Sequence, residues 1–196
     1  MRIIAGKFKA KIINSPKTTK TRPTLDRVKE ALFSIIQSRV KEARVLDLFS
    51  GTGNLALEAI SRGASFAWMN DLENVSISTI LSNVELTKTQ NYVKITKKDY
   101  IKCLRQFTKE NIKFDIIFLD PPYDSDYGIK TLEYISTTKS VLAKDGVIIY
   151  ETDKNFLSKL LKMNKLDLLD KFDNLECTDE RNYGNVILKI YNWREE

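Results

Sequence analysis

A short acidic and proline-rich turn stands directly after an apolar run. Residues 113–119 read Lys-Phe-Asp-Ile-Ile-Phe-Leu, and Asp120-Pro121-Pro122-Tyr123 follow at once. Two successive prolines fix φ and remove backbone donors, so this corner is stiff and its carbonyls point in fixed directions. Fixed acceptors beside an aromatic ring suit a planar base that carries an exocyclic amino group. Asp120 and the Pro121 carbonyl can accept both amino hydrogens, while Tyr123 stacks on the base.

This corner predicts group transfer to an amino nitrogen without a strong base. Two acceptors draw the nitrogen lone pair out of conjugation and aim it at a methyl group. The nitrogen becomes acidic only as it is alkylated, so a carboxylate or water can take its proton late. The chain contains no histidine and two cysteines. These counts exclude Ser-His and Cys-His nucleophiles, and a dedicated zinc site is not expected.

The stretch from Arg44 to Asn54 is a second candidate site, and it reads Arg-Val-Leu-Asp-Leu-Phe-Ser-Gly-Thr-Gly-Asn. The pattern is typical of a strand, a tight loop and a helix. Gly51 and Gly53 let the backbone approach a ligand, and the amides from Asn54 onward point outward as donors. Asp47 would repel a pyrophosphate and attract a cation such as the sulfonium of S-adenosylmethionine. The glycines also fit the looser dinucleotide fingerprint, so the ligand stays open at this point.

Acidic residues stand at the ends of four predicted strands, where ligands bind to a parallel sheet. These residues are Asp47, Asp71, Asp99 and Asp120. Asp71 follows the glycine turn by about 20 residues, the spacing at which an acid holds ribose hydroxyls, although Asn70 and Glu73 are close enough to compete. Asp99 and Tyr100 are placed to meet an adenine amino group. Alternatively, Asp99 caps the helix that follows it.

Positive charge is concentrated near the N-terminus. Residues 1–44 hold 12 Lys or Arg against three acids, while the whole chain has a formal net charge of +6. Such a stretch can follow a phosphate backbone, or it can be a solvated basic tail. Phe8 among the lysines either stacks on a base or pins this arm to the core. The candidate phosphate contacts include Arg2, Lys7, Lys9 and Lys11.

Strands and helices alternate from residue 44 onward, which predicts an α/β fold with a doubly wound, mostly parallel, seven-stranded sheet. A basic N-terminal β-hairpin or arm is expected over residues 1–24, with pairing runs at 2–5 and 10–13, and one domain over 25–196. We expect helices over 25–40, 54–62, 73–87, 100–110, 128–142 and 154–163. We expect strands over 44–49, 65–70, 92–96, 113–119, 146–151, 166–172 and 186–193, the last two paired antiparallel.

The composition and the absence of a long apolar run favour a cytoplasmic protein.

The two motifs together resemble the class I S-adenosylmethionine-dependent amino methyltransferases. Three further runs narrow the resemblance to the RsmD family, the bacterial guanine-N2 methyltransferases of small-subunit ribosomal RNA. They are Arg-Ile-Ile-Ala-Gly at 2–6, Arg-Pro-Thr-Leu-Asp-Arg-Val-Lys-Glu-Ala-Leu-Phe at 22–33 and Leu-Glu-Ala-Ile-Ser-Arg-Gly-Ala at 57–64. The resemblance covers nearly the entire chain but is weak after about residue 155. Ala10 stands where the family usually has glycine.

The resemblance implies methyl transfer from S-adenosylmethionine to N2 of an extruded guanine in 16S ribosomal RNA, within the small subunit or an assembly intermediate. We expect the protein to act as a monomer. Catalysis is assigned to Asp120, Pro121, Pro122 and Tyr123, and RNA contacts at the mouth of the site to Arg22, Pro23 and Thr24. The implied cofactor contacts are Asp47, Phe49, Gly51, Gly53, Asp71 and Asp99, to which Asn54 and Tyr100 are added from the patterns above.

Three alternatives remain open from the residues alone. A DNA adenine or cytosine amino methyltransferase would use the same corner, since the corner recognises an amino group and not a particular base. The chain has no separate target-recognition region, which disfavours sequence-specific DNA modification. A nicotinamide-dependent reductase would use the two glycines, but Asp47 and the proline corner would have no function in it. A catalytically inactive RNA-binding protein with the same fold would bind the cofactor without transferring its methyl group.

Overall fold

The structure, a computed structural model, describes residues 1–15, 24–123, 125–164, 166–169 and 172–195. Strands and helices alternate along these residues, as the sequence predicts. The helices are α1 (Thr24–Ile35), α2 (Gln37–Val40), α3 (Asn54–Ser61), α4 (Asn74–Thr87), α5 (Tyr100–Lys109), α6 (Tyr127–Thr138) and α7 (Lys154–Lys162). The strands are β1 (Arg44–Asp47), β2 (Phe66–Asp71), β3 (Val93–Lys97), β4 (Phe114–Leu119), β5 (Leu142–Asp153), β6 (Leu175–Tyr183) and β7 (Val186–Trp193).

The strands form a mixed sheet in the order β3-β2-β1-β4-β5-β7-β6. β1 with β2, β2 with β3, and β4 with β5 are parallel pairs. β7 runs antiparallel to both β5 and β6. The predicted α/β class and the mostly parallel seven-stranded sheet are therefore confirmed. The chain divides into two compact units, Met1–Cys103 and Leu104–Glu196.

The first unit is built on three parallel strands. Residues inside β1 and β2 are buried continuously rather than alternately, which is typical of strands covered on both faces. The register pairs Leu46 with Trp68 and Asn70 with Thr96. The three strands therefore finish at the same edge, where the loops that follow them can act together.

Residues 1–15, which we call the N-terminal segment, form a small hairpin. Residues 2 and 12 make an antiparallel bridge, and the Ile3 amide donates to the Lys11 carbonyl at 2.9 Å. The turn of this hairpin bonds to α3: the Lys7 amide donates to the Ser61 carbonyl and the Phe8 amide to Ser61 Oγ. Gly6 has φ +82°, and a Cβ there would lie 1.8 Å from the Ser61 carbonyl oxygen. This close approach requires glycine.

The second unit holds β4 to β7. The interior of β4 is apolar and buried from Ile116 to Leu119, as expected of a central strand. β5 is longer than the predicted 146–151 and begins at Leu142. The helix predicted over 128–142 ends at Thr138, because Lys139 and Val141 adopt φ of 47° and 71°, which an α-helix does not accommodate.

The predicted strand over 166–172 is wrong. Leu166–Leu169 forms a 3-10 turn, and the strand that pairs with β7 is β6. Leu169 is buried, and its carbonyl accepts a hydrogen bond from the Tyr191 hydroxyl at 3.0 Å. The apolar character of this run therefore reflects packing by a turn, not strand pairing.

The helix predicted over 25–40 is interrupted at Ile36, which separates α1 from α2. The remaining predicted helices agree with α3, α4, α5 and α7 to within one or two residues. Among the described helices, none is both long and apolar enough to cross a membrane.

Candidate active site

The predicted glycine turn connects β1 to α3 and has the backbone geometry that glycine permits. Gly51 and Gly53 have φ of +56° and +77°, both in the left-handed region. The Gly53 amide donates to the Ser50 carbonyl at 2.8 Å and closes the turn. A Cβ at Gly53 would lie 3.0 Å from Met69 Sδ, whereas a Cβ at Gly51 would meet nothing within 4 Å. The turn is thus packed on one side and open at Gly51.

Asp47 braces this turn from below. Its carboxylate is buried and Oδ2 accepts hydrogen bonds from Ser50 Oγ at 2.8 Å and from the Ala56 amide at 3.3 Å. Burial raises the pKa of Asp47 to about 7, an effect that these two hydrogen bonds oppose and the charge of Asp71 reinforces. The residue predicted to attract a cationic ligand is therefore one whose charge is easily gained or lost near neutral pH.

Asp71 joins the end of β2 to the turn. Its Oδ2 accepts a hydrogen bond from the Gly51 amide at 2.8 Å, and its Oδ1 accepts one from the Glu73 amide at 2.9 Å. The side chain is half-buried, so the carboxylate lies at the surface beside the open glycine. A carboxylate held in this way can still accept hydrogen bonds from hydroxyl groups of a ligand.

Asn70 is not available for the same task. It is buried, and its Nδ2 donates to the Leu48 and Lys98 carbonyls at 3.2 and 2.9 Å. Its Oδ1 accepts from Thr96 Oγ1 at 2.9 Å. This carboxamide ties together the ends of β1, β2 and β3, which leaves Asp71 and the exposed Glu73 as the acids at this strand end.

Two aromatic side chains predicted for the cofactor site are in contact. The ring centroids of Phe49 and Tyr100 lie 5.5 Å apart with an interplanar angle of 39°. Asp99 precedes Tyr100, and its Oδ1 accepts from the Ile101 and Lys102 amides at 3.1 and 3.3 Å. The alternative interpretation of Asp99 as the cap of α5 is thus confirmed, and both capping bonds are made to Oδ1.

The side chain of Asn54 takes part in a buried ionic network that the sequence did not reveal. Lys29 Nζ donates to Asn54 Oδ1 at 2.7 Å and lies 3.0 Å from Glu58 Oε2. Glu58 also accepts hydrogen bonds from the backbone amides of Ile4 and Ala5. Burial lowers the pKa of Lys29, and Glu58 opposes that shift. In the sequence, this network is indicated only by Lys29 and Glu58, each of which is a charged residue within a helix that has an apolar face.

The predicted RNA contacts fall into two groups. Lys7 and Lys9 are exposed on the turn of the N-terminal segment. Arg2 and Lys11 have partners within the chain: Arg2 Nε lies 2.9 Å from Asp26 Oδ2, and Lys11 Nζ donates to the Leu86 carbonyl at 2.8 Å. Phe8 is half-buried. Arg22 and Pro23 lie outside the described residues, as does the side chain of Thr24, the first residue of α1.

The proline corner in the second unit follows β4, as predicted. Pro121 is buried and Pro122 is exposed. The Pro122 carbonyl accepts from the Ser125 amide at 2.9 Å and from Ser125 Oγ at 2.6 Å. Tyr123 Oη donates to Glu151 Oε1 at 2.7 Å. The Tyr123 side chain is therefore held by β5, and the Pro122 carbonyl already has partners.

Tyr150 of β5 is buried and packs closely against α6. Burial raises the pKa of Tyr150 to about 12, with smaller contributions from neighbouring groups that include Asp120. A Cβ at Gly128, in the first turn of α6, would lie 2.3 Å from Cε2 of Tyr150. The tyrosine hence stays neutral, and α6 is fixed against β5. Across the described residues, no group of three or more Cys, Asp or Glu side chains is arranged to hold a metal ion.

Comparison with known proteins gives consistent matches along the chain. The family described as conserved hypothetical protein 95 matches residues 1–192. The putative rRNA methyltransferase YlbH of Bacillus subtilis is 31% identical over 194 residues, which cover 99% of this chain and 100% of that protein. Ribosomal RNA small subunit methyltransferase D of Buchnera aphidicola subsp. Acyrthosiphon pisum is 32% identical over 152 residues, 78% of each chain. Among solved structures, a putative methyltransferase, yhhF, from Escherichia coli superposes with a TM-score of 0.80 at 24% identity, covering 100% of this chain and 98% of that one.

Proposed function

Because this chain belongs to the RsmD family of methyltransferases, which the match to conserved hypothetical protein 95 identifies, we propose that it methylates 16S ribosomal RNA with S-adenosylmethionine as the donor. The acceptor is the exocyclic N2 of a guanine. The observation that carries the proposal is the family match over residues 1–192 in a chain that has both the glycine turn and the diproline corner.

The glycine turn and its neighbours bind the cofactor. Gly51, Gly53 and the first amides of α3, at Asn54, approach the methionine part, and Asp71 accepts hydrogen bonds from the ribose hydroxyls. The hydrogen bond from the Gly51 amide to Asp71 supports this assignment, since it fixes the acid beside the open side of the turn. Phe49 and Tyr100 provide an apolar wall for adenine, and Asp99 faces its amino group. Asp47 acts on the cofactor without touching it: its charge attracts the sulfonium, and its hydrogen bond from Ser50 stabilises the glycine turn.

The diproline corner binds the guanine amine. The Asp120 carboxylate and the Pro121 carbonyl accept the two amino hydrogens, and the Tyr123 ring stacks on the base. Ser125 occupies the Pro122 carbonyl, which supports the choice of Pro121 as the second acceptor. Pro122 contributes stiffness. The hydrogen bond from Tyr123 to Glu151 holds the ring plane in one orientation.

The reaction is an in-line displacement at the donor methyl. The guanine nitrogen attacks the methyl carbon, the bond from that carbon to the sulfonium sulfur breaks, and the sulfur leaves as a thioether. The nitrogen becomes acidic as the new bond forms, so Asp120 or water takes its proton late. Orientation by the corner supplies most of the acceleration, since the chain has no histidine to serve as a strong base.

The RNA approaches through the basic N-terminus. Lys7, Lys9, Arg2 and Lys11 contact phosphates, and Arg22 and Thr24 are further contacts to the RNA. The guanine is extruded from its surroundings before transfer, as for other enzymes that modify a base. We place the substrate within the small ribosomal subunit or an assembly intermediate, and the protein acts as a monomer in the cytoplasm.

The deciding experiment supplies radiolabelled S-adenosylmethionine with three substrates: naked 16S RNA, small subunits from a strain that lacks the enzyme, and duplex DNA. We expect label in one guanine of the RNA, at N2 by mass spectrometry of the nucleosides. Label at an adenine or cytosine amine of DNA would contradict the proposal. Cofactor binding without transfer to any of the three would instead identify an inactive RNA-binding protein.

A further inference from the structure

We propose that Asn83, a buried residue of α4, is a positioning residue for the cofactor turn and couples that turn to the N-terminal segment. Asn83 is fully buried, although it belongs to a helix whose polar residues mostly face solvent. Its Nδ2 donates to the Thr52 carbonyl at 2.9 Å, in the middle of the glycine turn. The inference rests on the proposed function, because it assumes that the turn binds S-adenosylmethionine.

The same carboxamide holds the N-terminal segment. Asn83 Oδ1 accepts from the Asn14 amide at 2.7 Å, and Asn83 Nδ2 donates to the Asn14 carbonyl at 3.1 Å. Both contacts are to the backbone of Asn14, whose own side chain bonds instead to Ser82 Oγ at 2.8 Å. One buried side chain therefore satisfies three backbone groups from two separate stretches of the chain.

The glycine turn needs such an anchor because its own residues constrain it weakly. Thr52 lies between two glycines in left-handed conformations, and glycine has access to more backbone conformations than any other residue. The Thr52–Gly53 peptide plane is held on one side by the bond from the Gly53 amide to Ser50 and on the other by Asn83. With both bonds in place the peptide cannot rotate, so the neighbouring amides keep the directions that a ligand requires.

A second link between the turn and the segment runs parallel to the first. Thr52 Oγ1 donates to Met1 Sδ at 3.4 Å. The basic residues proposed to contact RNA are carried by the segment that Asn83 ties to the turn. Cofactor binding and the order of the N-terminal segment are therefore coupled, and each is expected to stabilise the other.

The test measures S-adenosylhomocysteine binding by titration calorimetry for the full chain and two variants. Asn83→Ala is expected to raise the Kd at least about fivefold, the factor for one lost aligning hydrogen bond. The matched control is Asn14→Ala, which removes only the contact to Ser82 and is expected to keep the Kd within about twofold.

In the methyltransfer assay, Asn83→Ala should raise the KM for S-adenosylmethionine by the same factor as the Kd and leave kcat nearly unchanged, whereas a loss of folded protein would lower kcat alone.

Hydrogen exchange on the unmodified chain gives a second test that does not depend on a variant. Exchange of the Asn14 amide, which bonds to Asn83, is expected to slow when S-adenosylhomocysteine saturates the protein. Unchanged exchange at saturation, an Asn83→Ala protein with the original Kd, or an equal loss in Asn14→Ala would overturn the inference. Failure of the unmodified chain to bind S-adenosylhomocysteine would refute the proposed function itself.

Discussion

Tyr123 Oη donates a 2.7 Å hydrogen bond to Oε1 of Glu151, a buried residue of β5. The bond connects the last residue of the proline corner to a rigid strand of the same unit. A tyrosine that is fixed at its hydroxyl keeps its ring plane when a base stacks on it. Glu151 was not among the residues singled out from the sequence, and it contributes to the site through Tyr123.

Tyr123→Phe tests this relationship, since it keeps the ring and removes the hydroxyl. We expect kcat to fall about tenfold, because the ring loses the contact that sets its plane, and the Kd for S-adenosylhomocysteine to stay within about twofold. The matched variant is Glu151→Gln, whose amide oxygen still accepts the hydrogen bond, and it should keep kcat near the original value. If Tyr123→Phe keeps the original kcat, the hydrogen bond to Glu151 does not position the ring, and Glu151 contributes only to folding.

Asp120 is predicted to act on the base and not on the cofactor. Asp120→Ala should reduce kcat by at least about a thousandfold while the Kd for S-adenosylhomocysteine changes by no more than about threefold. Asp120→Asn keeps one acceptor oxygen without the charge and should give an intermediate rate. Asp126→Ala is the matched control, since Asp126 is exposed and paired with Lys130. Equal losses in rate and cofactor affinity would assign Asp120 to the cofactor site.

The lysines of the N-terminal segment are predicted to contact phosphate. Replacing Lys7, Lys9 and Lys11 by glutamate should weaken RNA binding and reduce the slope of log K against log salt by about one for each lost contact. Lys11 is expected to contribute least, because its ammonium already donates to the Leu86 carbonyl. Fluorescence anisotropy with a labelled RNA fragment, measured over a range of salt concentrations, checks both quantities.

The control for this charge reversal is an equal number of lysines on α7. These residues are Lys154, Lys159 and Lys162, all exposed. Their replacement changes the net charge by the same amount and should leave the slope nearly unaltered. If both triple variants flatten the salt dependence equally, the effect reflects net charge and the N-terminal segment has no special role.

The features that depend on local chemistry could be predicted from the sequence. The two glycines predicted a tight turn and both have positive φ, and apolar runs predicted the central strands. β6, which reads Leu-Glu-Cys-Thr-Asp-Glu-Arg-Asn-Tyr, was not predicted as a strand. This strand lies at the edge of the sheet and only its first residue, Leu175, is buried, so burial does not impose an apolar pattern on it.

Contacts between residues distant in sequence were also missed. Lys29 and Glu58 belong to no motif, and only the packing of α1 against α3 brings them 3.0 Å apart. Such a pair is stable only when its partners are assembled by tertiary structure, so neither residue alone signals it. Asn83 was missed for the same reason, since all three of its partner groups are backbone atoms.

The pKa of Asp47 predicts how stability depends on pH. Burial raises this pKa from the usual 3.8 to about 7, so between these values the folded state binds a proton that the unfolded state has lost. The contribution of Asp47 to the free energy of unfolding is therefore largest below about pH 4 and declines as pH rises to about 7. Asp47→Asn removes this titration, and its stability relative to the original protein should rise by on the order of 4 kcal/mol across that range.

Urea denaturation of both proteins at pH 4, 5.5 and 7 measures this difference. Asp115→Asn, a change at an exposed position of β4, serves as the control. A constant difference between Asp47→Asn and the original protein at all three pH values would mean that folding does not raise the pKa of Asp47.

Ala10 is a residue in the left-handed region, with φ of 67°, a conformation that glycine adopts more readily than alanine. Ala10→Gly should raise the free energy of unfolding by about 0.5–1 kcal/mol, because relief of the Cβ clash exceeds the added entropy of the unfolded chain. Ala5→Gly, in the same segment but outside the left-handed region, should lower it by about the same amount. Gly6→Ala should lower it by about 2–4 kcal/mol, since its Cβ would overlap the Ser61 carbonyl. Urea denaturation ranks the three variants, and a destabilised Ala10→Gly protein would show that Ala10 adopts a right-handed conformation in solution.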